Sequence, residues 1–520
     1  MTRQIGDRKM VNVLDYLEQS AEKYPDKTAF ADEKNSCTWK ELKERADKIG
    51  SALAGQVQQG VPIAVWMEKG VDAVATFMGI VSAGCFYVML DVTQPRQRIA
   101  QILETLEQPL VITNIKEEKK LDSLRMAGNP EKGFQVLDLQ ELEHAAVSRE
   151  TLDNIRRRMT DTAPLYGIFT SGSTGVPKGV VVSHRSVIDF INYFTENFHI
   201  TDADVIGNQA PFDFDVSVKD IYSTLKTGAT MQIIPKRAFS FPTQLLDYLC
   251  ERQVTTLIWA VSALCIVSEL NGFTYKVPET VNKVLFSGEV MPVRHFNIWR
   301  SYLPDAMYVN LYGPTEITCN CTYYIIDREF CPGEVIPIGR PFQNEKVFLL
   351  DDKDKLVEAP GVRGEICVGG TALSLGYYNN PEQTQKAFVQ NPLNAHYLEK
   401  IYRTGDLGYY NEQGELCYAT RKDFQIKHMG HRIELGEIEA AMERVEQIQR
   451  VCCLFDEASS KLIAFYEGDV QKREIVRVLR TQLPTFMIPN IFCSRQRLPI
   501  TKNGKIDREA LRKSYQEEQG

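Results

Sequence analysis

The sequence carries no surplus of positive charge: 60 lysines and arginines stand against 68 aspartates and glutamates, a formal net charge of -8. Nothing in that balance attracts nucleic acid or an anionic membrane. Long apolar runs are missing too. The longest, residues 74–90, includes Thr76, Gly79, Ser82 and Gly84 and falls short of the ~20 apolar residues a membrane-spanning helix needs, so it reads as a buried helix running into a buried strand. Residues 1–15 mix charges and lack the apolar core of a signal peptide. Metal-site spacings are absent: no Cys-x-x-Cys pair occurs among the 12 cysteines, Cys319/Cys321 and Cys452/Cys453 are wrongly spaced for a zinc knuckle, and the 7 histidines show no His-x3-His pattern. Cysteines in surroundings such as Val451-Cys452-Cys453-Leu454 read as reduced core residues, which fits a cytoplasmic protein. No Ser-His-Asp set can be argued either, because a Gly-x-Ser-x-Gly elbow is missing. Internal repeats and low-complexity segments are not visible, and the short basic run 156–158 reads as a solvated helix face.

What remains is an ordinary globular composition, 43% apolar and 25% charged over 520 residues, enough for three or four domains or subdomains. Helical spacing at Val13, Leu14 and Leu17 precedes a short strand at 28–31. Apolar β runs then alternate with helical ones over 63–67, 72–83, 86–89, 96–105 and 109–113, and a comparable series runs from 230–234 to 308–311. This alternation predicts βαβ units and mostly parallel sheets. Strands with turn signals at Pro360-Gly361 and Gly369-Gly370 dominate residues 346–378, predicting a smaller β-barrel-like subdomain. A helix at 436–445, a strand at 462–467 and a helix at 473–482 predict a small α+β unit at the end. The expected architecture is α/β: a large N-terminal domain of two βαβ-type sheets plus the β subdomain, residues 1–422, and a small mobile C-terminal domain, residues 423–520.

The most informative segment joins a strand at 165–169 to a second at 180–182 through Thr170-Ser171-Gly172-Ser173-Thr174-Gly175-Val176-Pro177-Lys178-Gly179. Hydroxyls and glycines at this density bury almost nothing. They can place several N–H and O–H donors around one phosphate, with Lys178 adding a compact charge. The spacing is not that of a Walker A loop, and no helix follows directly.

This loop resembles the phosphate-gripping motif of the adenylate-forming superfamily, which includes acyl-CoA synthetases, luciferases and nonribosomal-peptide adenylation domains. Further similar motifs follow in the family's order: Ala83-Gly84-Cys85-Phe86-Tyr87-Val88 through Asp91 and Pro95; Leu311-Tyr312-Gly313-Pro314-Thr315-Glu316; Tyr402-Arg403-Thr404-Gly405-Asp406; Asp423-Phe424-Gln425-Ile426-Lys427 through Gly430, Arg432 and Glu434; and Asn503-Gly504-Lys505-Ile506-Asp507. The resemblance implies ATP and Mg²⁺ as cofactors. Thr170, Ser171, Gly172, Ser173, Thr174 and Lys178 would hold phosphates. Ser287, Gly288, Glu289, Asn310 and Tyr312 would cradle adenine, and Asp406 and Arg421 would reach the ribose. Thr315 would bond the α-phosphate, and Glu316 suits Mg²⁺, which takes few protein ligands. Lys505, an exposed loop lysine on composition alone, becomes the catalytic bridge between substrate carboxylate and transferring phosphate. Asp423 becomes a hinge, and Lys427 and Gly430 belong to the thiolation pose.

Residues 214–220, Phe214-Asp215-Val216-Ser217-Val218-Lys219-Asp220, resemble the substrate motif of amino-acid-activating members, and are especially close to D-alanyl carrier protein ligases. Ser287 departs from those ligases, which place cysteine there. Asp215 would pair with an α-ammonium; its alternative is a cap on the following helix. An acyl- or aryl-CoA ligase is the other function class, and a carboxylate facing an apolar tail argues against it. With no carrier domain seen before Gly520, the expected acceptor is the phosphopantetheine thiol of a separate carrier protein. The family's pocket positions fall on Asp215, Val216, Lys219, Ile258, Leu285, Ser287, Leu311, Cys319 and Asn320. Lys219 pointing inward favours an acidic amino acid. Pointing outward toward Asp220 and Asp213, it leaves room for a small one such as serine or alanine, and this second arrangement is the expected one.

Overall fold

Burial is continuous where the sequence is most apolar. In the computed structural model, which describes residues 10–129, 131, 134–172, 176–331, 333–422, 425–456, 459–500 and 506–519, the helix Val71–Ser82 is buried at every position but Asp72, and the strand Phe86–Leu90 that follows is buried throughout. That strand sits inside a seven-stranded sheet ordered Gly376–Tyr377, Lys178–Ser183, Pro164–Thr170, Phe86–Leu90, Pro62–Trp66, Leu110–Thr113, Gln135–Asp138. Its pairs are parallel except the two made by Lys178–Ser183. A nine-stranded sheet carries the second series, parallel from Met307–Tyr312 through Lys283–Ser287, Thr256–Ala260, Val205–Asn208 and Thr230–Ile233 to Thr28–Ala31. Strands buried on both faces need helices on both sides, and the alternating pattern of the sequence supplies them.

One apolar core joins the two sheets through the helices between them. Phe77 stacks on Tyr87 at 4.0 Å between ring centroids, and the hydroxyls of Tyr87 and Tyr222 share a buried hydrogen bond of 2.9 Å. The smaller β unit is a six-stranded antiparallel sheet that includes Glu345–Leu350, Gly364–Gly370 and Lys400–Tyr410. Residues 425–519 contribute the hairpin Gln425–His428 and His431–Glu434, a three-stranded sheet, and helices Leu435–Met442, Lys472–Leu479 and Arg508–Gln519. They build a core of their own around Ile433, Ile438, Met442, Ile475 and Leu479. Among the described residues no helix is long and apolar enough to cross a membrane.

Two details depart from the sequence reading or extend it. Arg156 is not part of a solvated face: it turns inward and pairs with Asp15 at 2.8 Å, while Arg157 and Arg158 stay exposed. His184 begins the helix His184–Asn197, fully buried, and its Nδ1 accepts the Val13 N–H. Burial, helped by the Arg156 cation, pulls its pKa from 6.5 down to about 3. The folded protein therefore refuses a proton that the unfolded chain takes below pH 6.5, so this stabilisation is complete above 6.5 and falls as the pH drops toward 3. Between pH 7 and pH 5 this one group should remove about 2 kcal/mol of stability. Denaturant midpoints at the two pH values check it: the difference should shrink by that amount in His184→Asn, and an unchanged difference would contradict the assignment.

Candidate active site

The phosphate-loop candidates lie between two paired strands, Pro164–Thr170 and Lys178–Ser183. Gly172 leaves no space for a side chain, since a Cβ there would stand 2.1 Å from the Val176 carbonyl oxygen. Ser171 is buried and its Oγ donates to the Arg432 carbonyl at 2.8 Å. Ser173 and Thr174 lie outside the described residues. Lys178 closes the loop, its Nζ 3.3 Å from Glu316 Oε1 and above the ring of Tyr377. Burial lowers its pKa, with the Arg432 charge adding to the effect.

Glu316 is the centre of the cluster. It sits in the 3-10 turn Thr315–Ile317 with no exposed surface. Arg432 Nη1 donates to both carboxylate oxygens at 2.8 and 3.1 Å, and the Tyr377 hydroxyl donates to Oε1 at 2.8 Å. Burial alone pushes a carboxyl upward. Here the Arg432 and Lys178 cations and the Tyr377 hydroxyl outweigh it, and Glu316 is held well below the usual carboxylate range.

The ribose candidates meet one another: Asp406 Oδ2 accepts from the Tyr312 hydroxyl at 2.6 Å and Oδ1 from Arg421 at 2.8 Å. The antiparallel register pairs Asp406 with Arg421, and Asp406 stands against Tyr312 at the end of the strand Met307–Tyr312. Asn310 donates to the carbonyl oxygens of Ile336 and Pro337. Gly288 has φ +99, a left-handed conformation suited to glycine, and nothing stands within 4 Å of where its Cβ would lie, so the space above this turn is open.

The hairpin 425–434 of the C-terminal unit reaches into this cluster. Gly430, at φ +78, donates its N–H to Glu289 Oε1 at 2.9 Å, and a Cβ on it would come within 3.1 Å of Ala260 Cβ. The Lys427 ammonium lies over the Tyr312 ring at 5.6 Å, and Arg432 engages Glu316. A buried pair, Arg98 with Glu437 at 2.7 Å, ties the helix Arg96–Thr105 to the helix Leu435–Met442. Lys505 and Asp423 lie outside the described residues.

The substrate candidates divide into two groups. Val216 and Leu311 line a cleft of about 2120 Å³ together with Gly288, Asn310, Tyr312 and Gly430. Asp215, Lys219, Ile258, Leu285, Ser287, Cys319 and Asn320 lie behind that lining. Ile258 and Leu285 pair on adjacent strands and share one apolar cluster with Leu311 and Cys319. Asp215 immediately precedes the helix Val216–Thr227, yet its side chain caps nothing. Its carboxylate lies beside the Thr315 hydroxyl instead, and burial raises its pKa. The outward placement expected for Lys219 is overturned. Its Nζ donates to Asn320 Oδ1 at 2.7 Å and Ser287 Oγ at 3.2 Å, while the partners foreseen for it are engaged elsewhere, Asp220 by Asn208 and Asp213 by Gln94. The rotation of the helix decides this: its residue 219 faces the strand ends, and a four-carbon stem reaches their polar side chains.

Sequence reasoning passed over Tyr377 and the role of Arg432. Tyr377 gave no signal, being one aromatic in a β run. Arg432 had one: a carboxylate as enclosed as Glu316 demands a cationic partner.

Comparisons with known proteins agree with this geometry. A family model described as AMP-binding enzyme matches residues 17–378. Tyrocidine synthase 1 of Brevibacillus parabrevis is 31% identical over 504 residues, which are 95% of this chain but 44% of the synthase. The chain thus spans less than half the length of that relative. Among solved structures, holo-PA1221, described as an NRPS protein containing adenylation and PCP domains bound to a vinylsulfonamide inhibitor, superposes with a TM-score of 0.81 at 24% identity, covering 97% of this chain and 84% of that one. The Vibrio cholerae adenylation domain AlmE in complex with glycyl-adenosine-5'-phosphate gives a TM-score of 0.83 at 21% identity, covering 99% and 100%. At these identities the superpositions establish the fold.

Proposed function

Since the chain belongs to the AMP-binding enzyme family and is an AMP-forming ligase, we propose that it activates an amino acid as aminoacyl-AMP and passes it to the phosphopantetheine thiol of a separate carrier protein, in the cytoplasm. In the first step a carboxylate oxygen of the amino acid attacks the α-phosphorus of ATP, and the bond from that phosphorus to the β-phosphate bridge breaks as pyrophosphate leaves. In the second the thiol attacks the acyl carbon, its proton is lost, and AMP departs. The observation that carries the reading is Asp215: a half-buried carboxylate beside Thr315 and Glu316, at the start of the helix whose Val216 lines the cleft. An α-ammonium there would pair with this carboxylate and set the α-carboxylate beside the phosphate-holding residues. The tail of a fatty or aryl acid offers Asp215 nothing. A carrier-bound acceptor is supported by likeness to holo-PA1221, whose chain joins adenylation and PCP domains.

The chain's own groups divide the work. Thr170, Ser171, Gly172, Ser173, Thr174 and Lys178 would hold the phosphates, and the open turn at Ser287, Gly288 and Glu289 would receive adenine beside Asn310. Asp406, fixed by Tyr312 and Arg421, would accept the ribose hydroxyls. Glu316 fits a magnesium ion, because its carboxylate is kept ionised in a buried place already matched to cations. Glu316, with Thr315 beside it, would hold the ion, which would supply charge neutralisation to the phosphates. Lys505 would bring a further positive charge to the α-phosphate.

Amino-acid-dependent ATP–pyrophosphate exchange tests the reading, run beside benzoate and fatty acids with coenzyme A. Exchange should appear with an amino acid and not with the other acids. Asp215→Asn should lower kcat/KM for that amino acid about 100-fold, the scale of losing one partner of a buried ion pair. Exchange with benzoate or a fatty acid, unaffected by Asp215→Asn, would overturn it.

A further inference from the structure

The reaction described above does not explain why Lys219 is buried. It is 1% exposed, and its two hydrogen bonds go to neutral oxygens, Asn320 Oδ1 at 2.7 Å and Ser287 Oγ at 3.2 Å. An ammonium has three N–H donors, and among the described residues no carboxylate stands within ion-pair distance of this one. The opposite charges that reach it do so from farther away, Asp215 and Asp220 among them. Asp220 is already bound to Asn208. Asp215 is the residue that a substrate ammonium would occupy. Its partners Ser287 and Asn320 stand two residues after Leu285 and one after Cys319, which belong with Ile258 and Leu311 to one buried apolar cluster, so the ammonium sits at the polar edge of an apolar region.

Consider the charges once an α-amino acid enters. Its ammonium takes Asp215, which cancels most of the field that Asp215 exerts on Lys219. Its α-carboxylate is consumed, since one of its oxygens becomes the bridge to the α-phosphate. Lys219 is then left in an apolar surround with two neutral partners, an arrangement that penalises the charged form severely. A neutral side chain of small size leaves the charge uncompensated. A second carboxylate on the substrate supplies both the missing counter-charge and an acceptor for the remaining N–H.

We infer that the amino acid is one with a carboxylate side chain, of the aspartate or glutamate class, and that Lys219, braced by Ser287 and Asn320, is the residue that selects it. The inference rests on the amino-acid adenylation reading. It replaces the small neutral substrate expected from an outward-pointing Lys219.

The test is kcat/KM for pyrophosphate exchange across aspartate, glutamate, their amides, serine and alanine, in both hands, with the full chain. Aspartate or glutamate should lead the amides and the small residues by at least about tenfold. Lys219→Met should lower exchange with the acidic leader about 30-fold, mainly through KM, and change exchange with the amides less than about threefold. Lys219→Gln, which removes the charge but keeps a hydrogen-bonding end, should behave likewise, so a misfolded methionine variant does not decide the matter. A neutral amino acid at the head of the wild-type panel, or equal losses for acidic and neutral substrates in both variants, overturns the inference while leaving adenylation intact. Exchange with no amino acid at all overturns the adenylation reading itself, and the selectivity of Lys219 with it.

Discussion

Lys505→Ala should slow aminoacyl-AMP formation by roughly 10²–10³, the size of losing one preorganised charge partner of a developing transition state, while thioester formation from pre-made adenylate proceeds near its normal rate. Negative charge builds on the α-phosphate as the carboxylate attacks and pyrophosphate leaves, and a mobile ammonium can meet it there. The segments beside Lys505 are anchored to the C-terminal unit: Ile500 and Ile506 pair in an antiparallel bridge, Asp507 donates its N–H to Pro499, and Arg508 pairs with Glu439 at 2.7 Å. Exchange rates and single-turnover thiolation on the same variant check the split. Near-normal exchange would remove Lys505 from the mechanism.

Arg432→Ala should produce the opposite split, cutting carrier loading from pre-made adenylate by about 10²–10³ while exchange changes less than about threefold. The expectation follows from the pose in which hairpin 425–434 lines the cleft, with Gly430 on Glu289 and Arg432 on Glu316. Breaking a buried ion pair from one side costs ~3–5 kcal/mol, and that loss falls on the pose that contains the pair. The two-step scheme proposes that the C-terminal domain, residues 423–520, turns about Asp423 between this pose and one presenting Lys505, so that one site serves both reactions. Asp423→Pro, by stiffening the turn point, should then impair loading more than exchange. Equal losses in both half-reactions for Arg432→Ala would remove the support for two poses.

Most of the fold was legible because its strands are buried on both faces and read as apolar blocks: the runs at 86–89 and 165–169 became Phe86–Leu90 and Pro164–Thr170 with a residue or two of adjustment. The loop between Thr170 and Lys178 was legible for a different reason, its composition being useless for packing. Long-range pairing was not. The link of Glu316 to Tyr377 and Arg432 spans 61 and 116 residues, and no local pattern encodes it. Lys219 shows the limit most clearly. Nearby aspartates offered it partners along the chain, but the helix turns its side chain toward Ser287 and Asn320, residues brought close by the sheet. Sequence neighbours on a helix need not share a face, and charge proximity along the chain is a poor guide to pairing in space.

The most direct measurement is the product balance of a single turnover with ATP, the preferred amino acid and a carrier protein bearing phosphopantetheine, with nucleotides separated chromatographically and the carrier weighed by mass spectrometry. The account predicts one AMP and one pyrophosphate for each aminoacyl thioester formed, with pyrophosphate released before the carrier is loaded. Formation of ADP and orthophosphate, or loading of the carrier without AMP, would contradict it.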